Sequence, residues 1–233
     1  MRKLVPLGLI AVLVLAGSIV SSPIDARAQG AGLVSSILNK MERNRRNLHT
    51  LRASISMEKY NAQLHDSDSY KGNVMYVPAA GRNAYVRVEW QRPQHEILAV
   101  ANGAYTLFRP RLNMAYVGNA RSSRASKVSG MLDFLTMSSA QVQNRFEPLQ
   151  DLYDETLWGG VHTVHFKLVP KGGASYSYAE VWVDDGGMPV QTKVVERNGD
   201  ATTVRLTDIE RNQPISLDQF TIKLDPSVKQ VRG

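Results

Sequence analysis

Apolar and polar residues alternate one for one along most of this 233-residue chain, and that period of two limits the fold more than any other feature. Leu51, Ala53, Ile55 and Met57 alternate with Arg52, Ser54, Ser56 and Glu58. The segment GNVMYVPAAGRNAYVRVEWQRP, Gly72 to Pro93, holds two further two-faced segments around a turn. In its second half Ala84, Val86, Val88 and Trp90 share one side, and Tyr85, Arg87 and Glu89 the other. Strands are predicted near 50–62, 69–78, 84–92, 94–101, 104–109 and 112–118, then at VHTVHFKLVP, YAEVWVDD, PVQTKVVER, TTVRLTDIER and QFTIKLDP. Turn residues separate them. Asn102-Gly103 tolerates positive φ at both positions, Asp185-Gly186-Gly187 and Asn198-Gly199-Asp200 mark hairpins, and Pro78, Pro93 and Pro110 stand at strand ends. About eleven short strands at regular spacing predict a mainly β fold: an antiparallel sheet curled into a barrel, a half-barrel or a sandwich.

The period changes to helical in two places. Leu33, Val34, Ile37, Leu38, Met41 and Leu48 recur every three or four residues, with Lys40, Arg43, Arg45 and Arg46 on the opposite face. Met131, Leu132, Phe134, Leu135 and Met137 form a short apolar run after the basic linker RSSRASK. Ser138 or Ser139 then caps a second short helix, whose apolar residues are Val142 and Phe146.

Arg2 and Lys3, the apolar run Leu4 to Val20 and Ala26-Arg27-Ala28 have the form of a secretory signal peptide cleaved after Ala28. A retained membrane anchor is the alternative, although the run is short for a span. In VLAGS, Ser18 occupies the place of a lipid-bearing cysteine. The expectation is therefore a signal peptide over 1–28 and one exported domain over 29–233. The chain has no cysteine, which excludes a disulfide framework and a thiol site. Its net charge of +7 is scattered and suits an anionic surface or an acidic partner without specifying either. No nucleic-acid motif is present.

Catalytic signatures are missing. His162 and His165 are three apart on a strand and point to opposite faces, so they do not form a metal pair. Asp184 and Asp185 precede a Gly-Gly turn and are read as turn formers rather than as a cation or acid–base site. No nucleophile elbow or phosphate loop occurs. The chain is read as a binding protein, not an enzyme, without a cofactor. Its surplus apolar surface lies in the helices. If they act as a lid over the apolar face of the sheet, the space between admits an acyl chain, at about 0.8 kcal/mol per buried CH₂. Methionines would make that space adaptable. The residues expected to line it are Leu33, Ile37, Met41, Ile55, Met57, Val86, Val88, Trp90, Met131, Leu132 and Leu135.

The order of these parts resembles the LolA-like family of periplasmic lipoprotein carriers, related to LolB and to the lipid-binding domain of RseB. The likeness rests on the signal peptide and amphipathic helix, GNVMYVPAAGRNAYVRVEWQRP, VANGAYTLFRPRLNMAYVG, the short-helix insertion, VHTVHFKLVPKGG and the ending ISLDQFTIKLDPSVKQV. The resemblance implies an unclosed eleven-strand antiparallel half-barrel, covered on its concave face by the N-terminal helix and a helical lid. It also implies a periplasmic monomer that takes acylated lipoproteins from an inner-membrane transporter and delivers them to an outer-membrane receptor. Two alternatives share the architecture: a carrier of free lipid or glycolipid, and a module that senses lipid or protein. The family's carriers have a basic residue directly before the proline ending the second strand, where it latches the lid. Here that residue is Val77, so a looser lid or a different cargo is expected, with Arg82, Arg87 or Arg92 as substitutes.

Overall fold

A computed structural model describes residues 24–78, 84–120, 134 and 137–232. One helix, α1 (Ile24–Asn47), leads into six strands: β1 (Leu51–Asn61), β2 (Asp66–Val77), β3 (Tyr85–Arg92), β4 (Glu96–Ala101), β5 (Ala104–Arg109) and β6 (Met114–Asn119). A short helix, α2 (Ser139–Arg145), precedes β7 (Gln150–Leu157), β8 (Val161–Leu168), β9 (Tyr176–Asp184), β10 (Pro189–Glu196) and β11 (Ala201–Arg211). A 3₁₀ turn at Leu217–Phe220 and β12 (Lys229–Arg232) end the chain. All twelve strands form one unclosed sheet in the order β12-β6-β5-β4-β3-β2-β1-β11-β10-β9-β8-β7. Every pairing is antiparallel except the parallel β12–β6 edge. Two meanders therefore run outward from a central β1–β11 seam.

The register determines which side chains share a face, because residues directly opposite in paired strands point the same way. Phe166, Val181, Thr192, Val204, Met57 and Tyr70 form one such row across the seam. Val74, Val88, Leu98, Leu107 and Tyr116 form another on the same face, since Val74 opposes Ala53. This inner face holds two apolar clusters. One gathers β1–β5 and β11 around Leu51, Val74, Val88 and Tyr105. The other packs Ile37, Leu38 and Met41 of α1, with Phe134, Met137, Val142 and Phe146, onto Phe166, Leu168, Ala179, Val181 and Val183. Val86, Val88 and Trp90 are buried in the first cluster, and Ala84 packs against it. Gly72 opposes Trp90 at a register shift, where a Cβ would lie 2.1 Å from the Glu89 carbonyl oxygen. Only glycine allows that approach, and the Tyr70 ring meets Trp90 edge-on beside it.

The outer face of the first meander is not left to solvent. The C-terminal segment crosses it as a strap. Phe220, 1% exposed, lies 5.7 Å from the Tyr85 ring, and Arg87 donates to the Gln219 carbonyl at 3.0 Å. Ile97 and Ala99 are buried although they alternate with inner-face residues. QFTIKLDP thus departs from the sequence expectation. Half-buried Ile222 and Leu224 still alternate with exposed Thr221 and Lys223, but the segment is an extended cover with no ladder partner.

Two strands escaped the sequence pattern. β7 is a polar edge strand with a register shift between Gln150 and Tyr153, and Asp151 has φ 53°. Edge strands of this kind carry little periodic apolar signal. β12 is four residues held by backbone pairing to Met114–Val117. Asn102 and Gly103 have φ of 52° and 75°, the double positive φ required by a type I′ turn.

Candidate functional site

The inner face contains a cavity of about 1100 Å³, at the end of the sheet where the β1–β2 and β10–β11 turns lie. It lies just above the roughly 300–1,000 Å³ range of small-molecule sites. Its apolar lining joins the two clusters: Met57 comes from the first, and Phe134, Met137 and Phe146 from the second, with Val194 and Tyr176 packed against the latter. The rim is polar. Lys59 and Asp68 oppose each other on β1 and β2, Asn144 and Arg145 end α2, and Lys171 to Ser175 form the β8–β9 connection. Glu196, Asp200 and Thr202 close the remaining side. Such a space accepts an apolar body with a polar end.

The helical side of the cavity is held by identifiable contacts. Ser138 caps α2 by accepting from the Gln141 N–H at 3.1 Å, while the Gln141 side chain accepts from the Ser138 N–H at 2.8 Å. This reciprocal capping box fixes the helix start. Glu42 on α1 ties the two helices. It pairs with Arg45 at 2.6 Å and Arg46 at 2.9 Å, and it accepts from the Ser139 N–H at 3.4 Å. The Arg45 hydrogen bonds lead in holding the Glu42 carboxyl at about 2, against its partial burial and helped by Arg46 and the Ser139 N–H. The Phe146–Pro170 bridge and the Lys171 N–H to Arg145 carbonyl bond (2.9 Å) attach the end of α2 to β8. Burial pushes the Tyr176 phenol up, with Arg145 pulling the other way.

Of the residues expected at the site, Met57 lines the cavity. Ile37 and Met41 are buried beneath α1, and Ile55, Val86, Val88 and Trp90 lie in the first cluster, outside the lining. Leu33 is 45% exposed. Met131, Leu132 and Leu135 lie outside the described residues, as do Arg82 and the linker cations Arg121, Arg124 and Lys127. Sequence reasoning missed Phe146 and Tyr176 as lining and missed the charged rim altogether. Lys171-Gly172-Gly173 was the available signal, a charged glycine turn directly after an apolar strand.

The remaining chemistry is structural. Asp184 accepts from the Met188 N–H at 2.8 Å and pairs with Arg211, so it builds its hairpin. His165 is buried between the Tyr153 and Trp182 rings, whereas exposed His162 meets Asp185 at 3.0 Å. No group of three metal-ligating side chains occurs among the described residues. The proposed latch substitute Arg87 is committed to the strap, on the outer face away from the helices. Val77 opposes Tyr85 and therefore shares that outer face.

The family model of the outer membrane lipoprotein carrier protein LolA matches residues 82–223, from just before β3 to beyond the 3₁₀ turn. The chain belongs to the LolA family. Solved structures are similar over most of its length. A conserved protein of Thermus thermophilus is 13% identical over 86% of this chain and 99% of its own, with a TM-score of 0.54. MucB is 14% identical over 83% of this chain, with a TM-score of 0.54. A chain of the MucA/MucB complex of Pseudomonas aeruginosa is 12% identical over 82%, with a TM-score of 0.50. This chain spans 64% and 61% of those last two chains, respectively. No curated protein matches it. At these identities the structures share its fold, and the family model supplies the relationship.

Proposed function

We propose that this protein is a periplasmic carrier that holds the acyl chains of its cargo in the inner-face cavity, performs no covalent chemistry and acts as a monomer. The observation that carries the reading is the cavity itself: about 1100 Å³, with a floor of Met57, Phe134, Met137 and Phe146 under a polar rim. Burial of acyl carbons at about 0.8 kcal/mol each supplies the affinity, and methionines on the floor let it adapt. In this reading residues 1–28 are a cleaved signal peptide and 29–233 the carrier domain. The family's description, an outer membrane lipoprotein carrier, supports acylated lipoproteins as cargo; in this reading the carrier takes them from an inner-membrane transporter to an outer-membrane receptor. A second reading, carriage of free lipid, is favoured by the charged rim. A module that senses lipid or protein has the weaker support, which is the shared fold of MucB, a protein solved in complex with MucA.

The test is a photo-crosslinking amino acid at Met137, irradiated in living cells, with the adduct identified by mass spectrometry. Triacylated lipoproteins are the expected adduct for the shuttle, and free lipid for the second reading. A non-lipidated protein, or no adduct while surface positions do crosslink, would overturn both. Met57→Trp, which fills the floor, should abolish the adduct while the protein remains folded.

A further inference from the structure

The acyl-chain reading explains the floor of the cavity but not its rim. Three cations line the mouth: Lys59, Arg145 and Lys171. None of them has a carboxylate within 4.0 Å among the described residues, although Arg45, Arg46, Arg87 and Arg211 elsewhere do. Lys171 gives one bond to the Gln143 carbonyl at 2.7 Å and keeps two N–H donors. The Lys59 ammonium lies 4.8 Å over the Tyr70 ring. Gly172 and Gly173, with φ of 148° and 70°, leave open space beside them, since a Cβ on either would meet nothing within 4 Å.

The acids of the rim differ in availability. Asp200 is committed, accepting from the Ala62 N–H at 2.9 Å and from the Asn198 amide at 2.7 Å. Asp68 and Glu196 are exposed and form no ion pair among the described residues. The mouth therefore offers free groups of both signs above an apolar floor. A fatty acid would use only the cations. A diacylglycerol-type anchor would use neither. A molecule with acyl chains, one phosphate and one ammonium uses all of them.

We infer that the mouth of the cavity is a headgroup site for a zwitterionic glycerophospholipid. Arg145, Lys171 and Lys59 take the phosphate, and Asp68 and Glu196 take the ammonium of an ethanolamine. The inference rests on the acyl-chain reading above. Phosphate oxygens suit these donors because charge-assisted bonds to guanidinium and ammonium are the strong class of hydrogen bond. The two acids select against a purely anionic headgroup by like-charge repulsion.

The experiment offers the purified protein phosphatidylethanolamine, phosphatidylglycerol, diacylglycerol or a triacylated lipopeptide, each dispersed in the same uncharged detergent. Displacement of an uncharged fluorescent acyl probe and native mass spectrometry give the readout. Phosphatidylethanolamine should bind best. The Arg145→Ala/Lys171→Ala pair should weaken it about tenfold or more and leave diacylglycerol unchanged. The Asp68→Asn/Glu196→Gln pair should raise phosphatidylglycerol to at least parity. If diacylglycerol or the lipopeptide binds as tightly as phosphatidylethanolamine and neither pair changes the order, the headgroup site is overturned while the carrier reading stands. If no lipid displaces the probe, or Met57→Trp leaves probe binding intact, the carrier reading fails as well.

Discussion

Gly187 and Lys40 meet backbone to backbone: a Cβ on Gly187 would lie 2.3 Å from the Lys40 carbonyl oxygen. The β9–β10 turn is thus the seat on which α1 rests, and Gly187 also has φ +85°. Gly187→Ala is expected to suffer both the left-handed backbone cost and the clash. Gly159→Ala has φ +88° with open space around it and suffers the first alone. Urea unfolding should show a loss of about 1–2 kcal/mol for Gly159→Ala and at least ~2 kcal/mol more for Gly187→Ala. Equal losses would mean that the helix seat is loose.

Glu42 gives the helix pair a defined pH dependence. Its folded value, about 2, lies below the ordinary 4.5, so its contribution is fully present above 4.5 and is lost as pH falls toward 2. The stability gap between the native chain and Glu42→Gln should be flat from pH 7 to about 5 and shrink steadily below 4.5. A gap that stays constant down to about pH 2.5 would contradict the pairing with Arg45.

Ser138→Ala removes half of the capping box at the start of α2. The expected cost is about 1 kcal/mol, concentrated in faster hydrogen exchange of the Ser139–Arg145 amides. Because Asn144 and Arg145 border the cavity, ligand should also leave faster. Uniform acceleration across the sheet would mean that α2 does not open by itself.

Phe220→Ala should cost about 3–5 kcal/mol, the range for emptying a buried aromatic site. The loss should be accompanied by exposure of Ile97 and Ala99 and by faster exchange in β12. Protection of β12 equal to that of the native chain would separate the strap from the edge strand it leads to.

Val77→Arg is expected to leave ligand exchange unchanged. The side chain at this position shares the face of Tyr85, away from α1 and α2. Slower exchange, measured by stopped-flow displacement of a fluorescent fatty acid, would show that an arginine there reaches the helical side.

Much of the architecture was legible because the sheet has a covered inner face. Burial on one side forces the alternation of Leu51, Ala53, Ile55 and Met57, and turn chemistry at Asn102-Gly103 marks the breaks. The polar edge β7 and the four-residue β12 were silent, since β7 has few buried apolar side chains in alternation and β12 is held mainly by backbone pairing. The strap misled because Phe220, Ile222 and Leu224 alternate as a strand does while covering one. The cavity was legible through Met57 and through the lid run that holds Phe134 and Met137. Apolar periodicity shows which residues are buried but not which of them border a void, so Val88 and Met57 look alike in sequence. The rim was hidden because Lys59, Arg145 and Lys171 come together only when β1, α2 and the β8–β9 turn do.

The central seam gives the cavity an order of assembly. Each meander is built from neighbours in sequence, but β1 meets β11 across nearly the whole domain; the His49 N–H to Asn212 bond spans 163 residues. Contacts that close so long a loop form late, after local hairpins. Met57, Asn61, Ala201 and Thr202 line the cavity from the two sides of that seam. A folding chain therefore has its hairpins before it has the inner-face cavity, which is completed only by arrival of the eleventh strand.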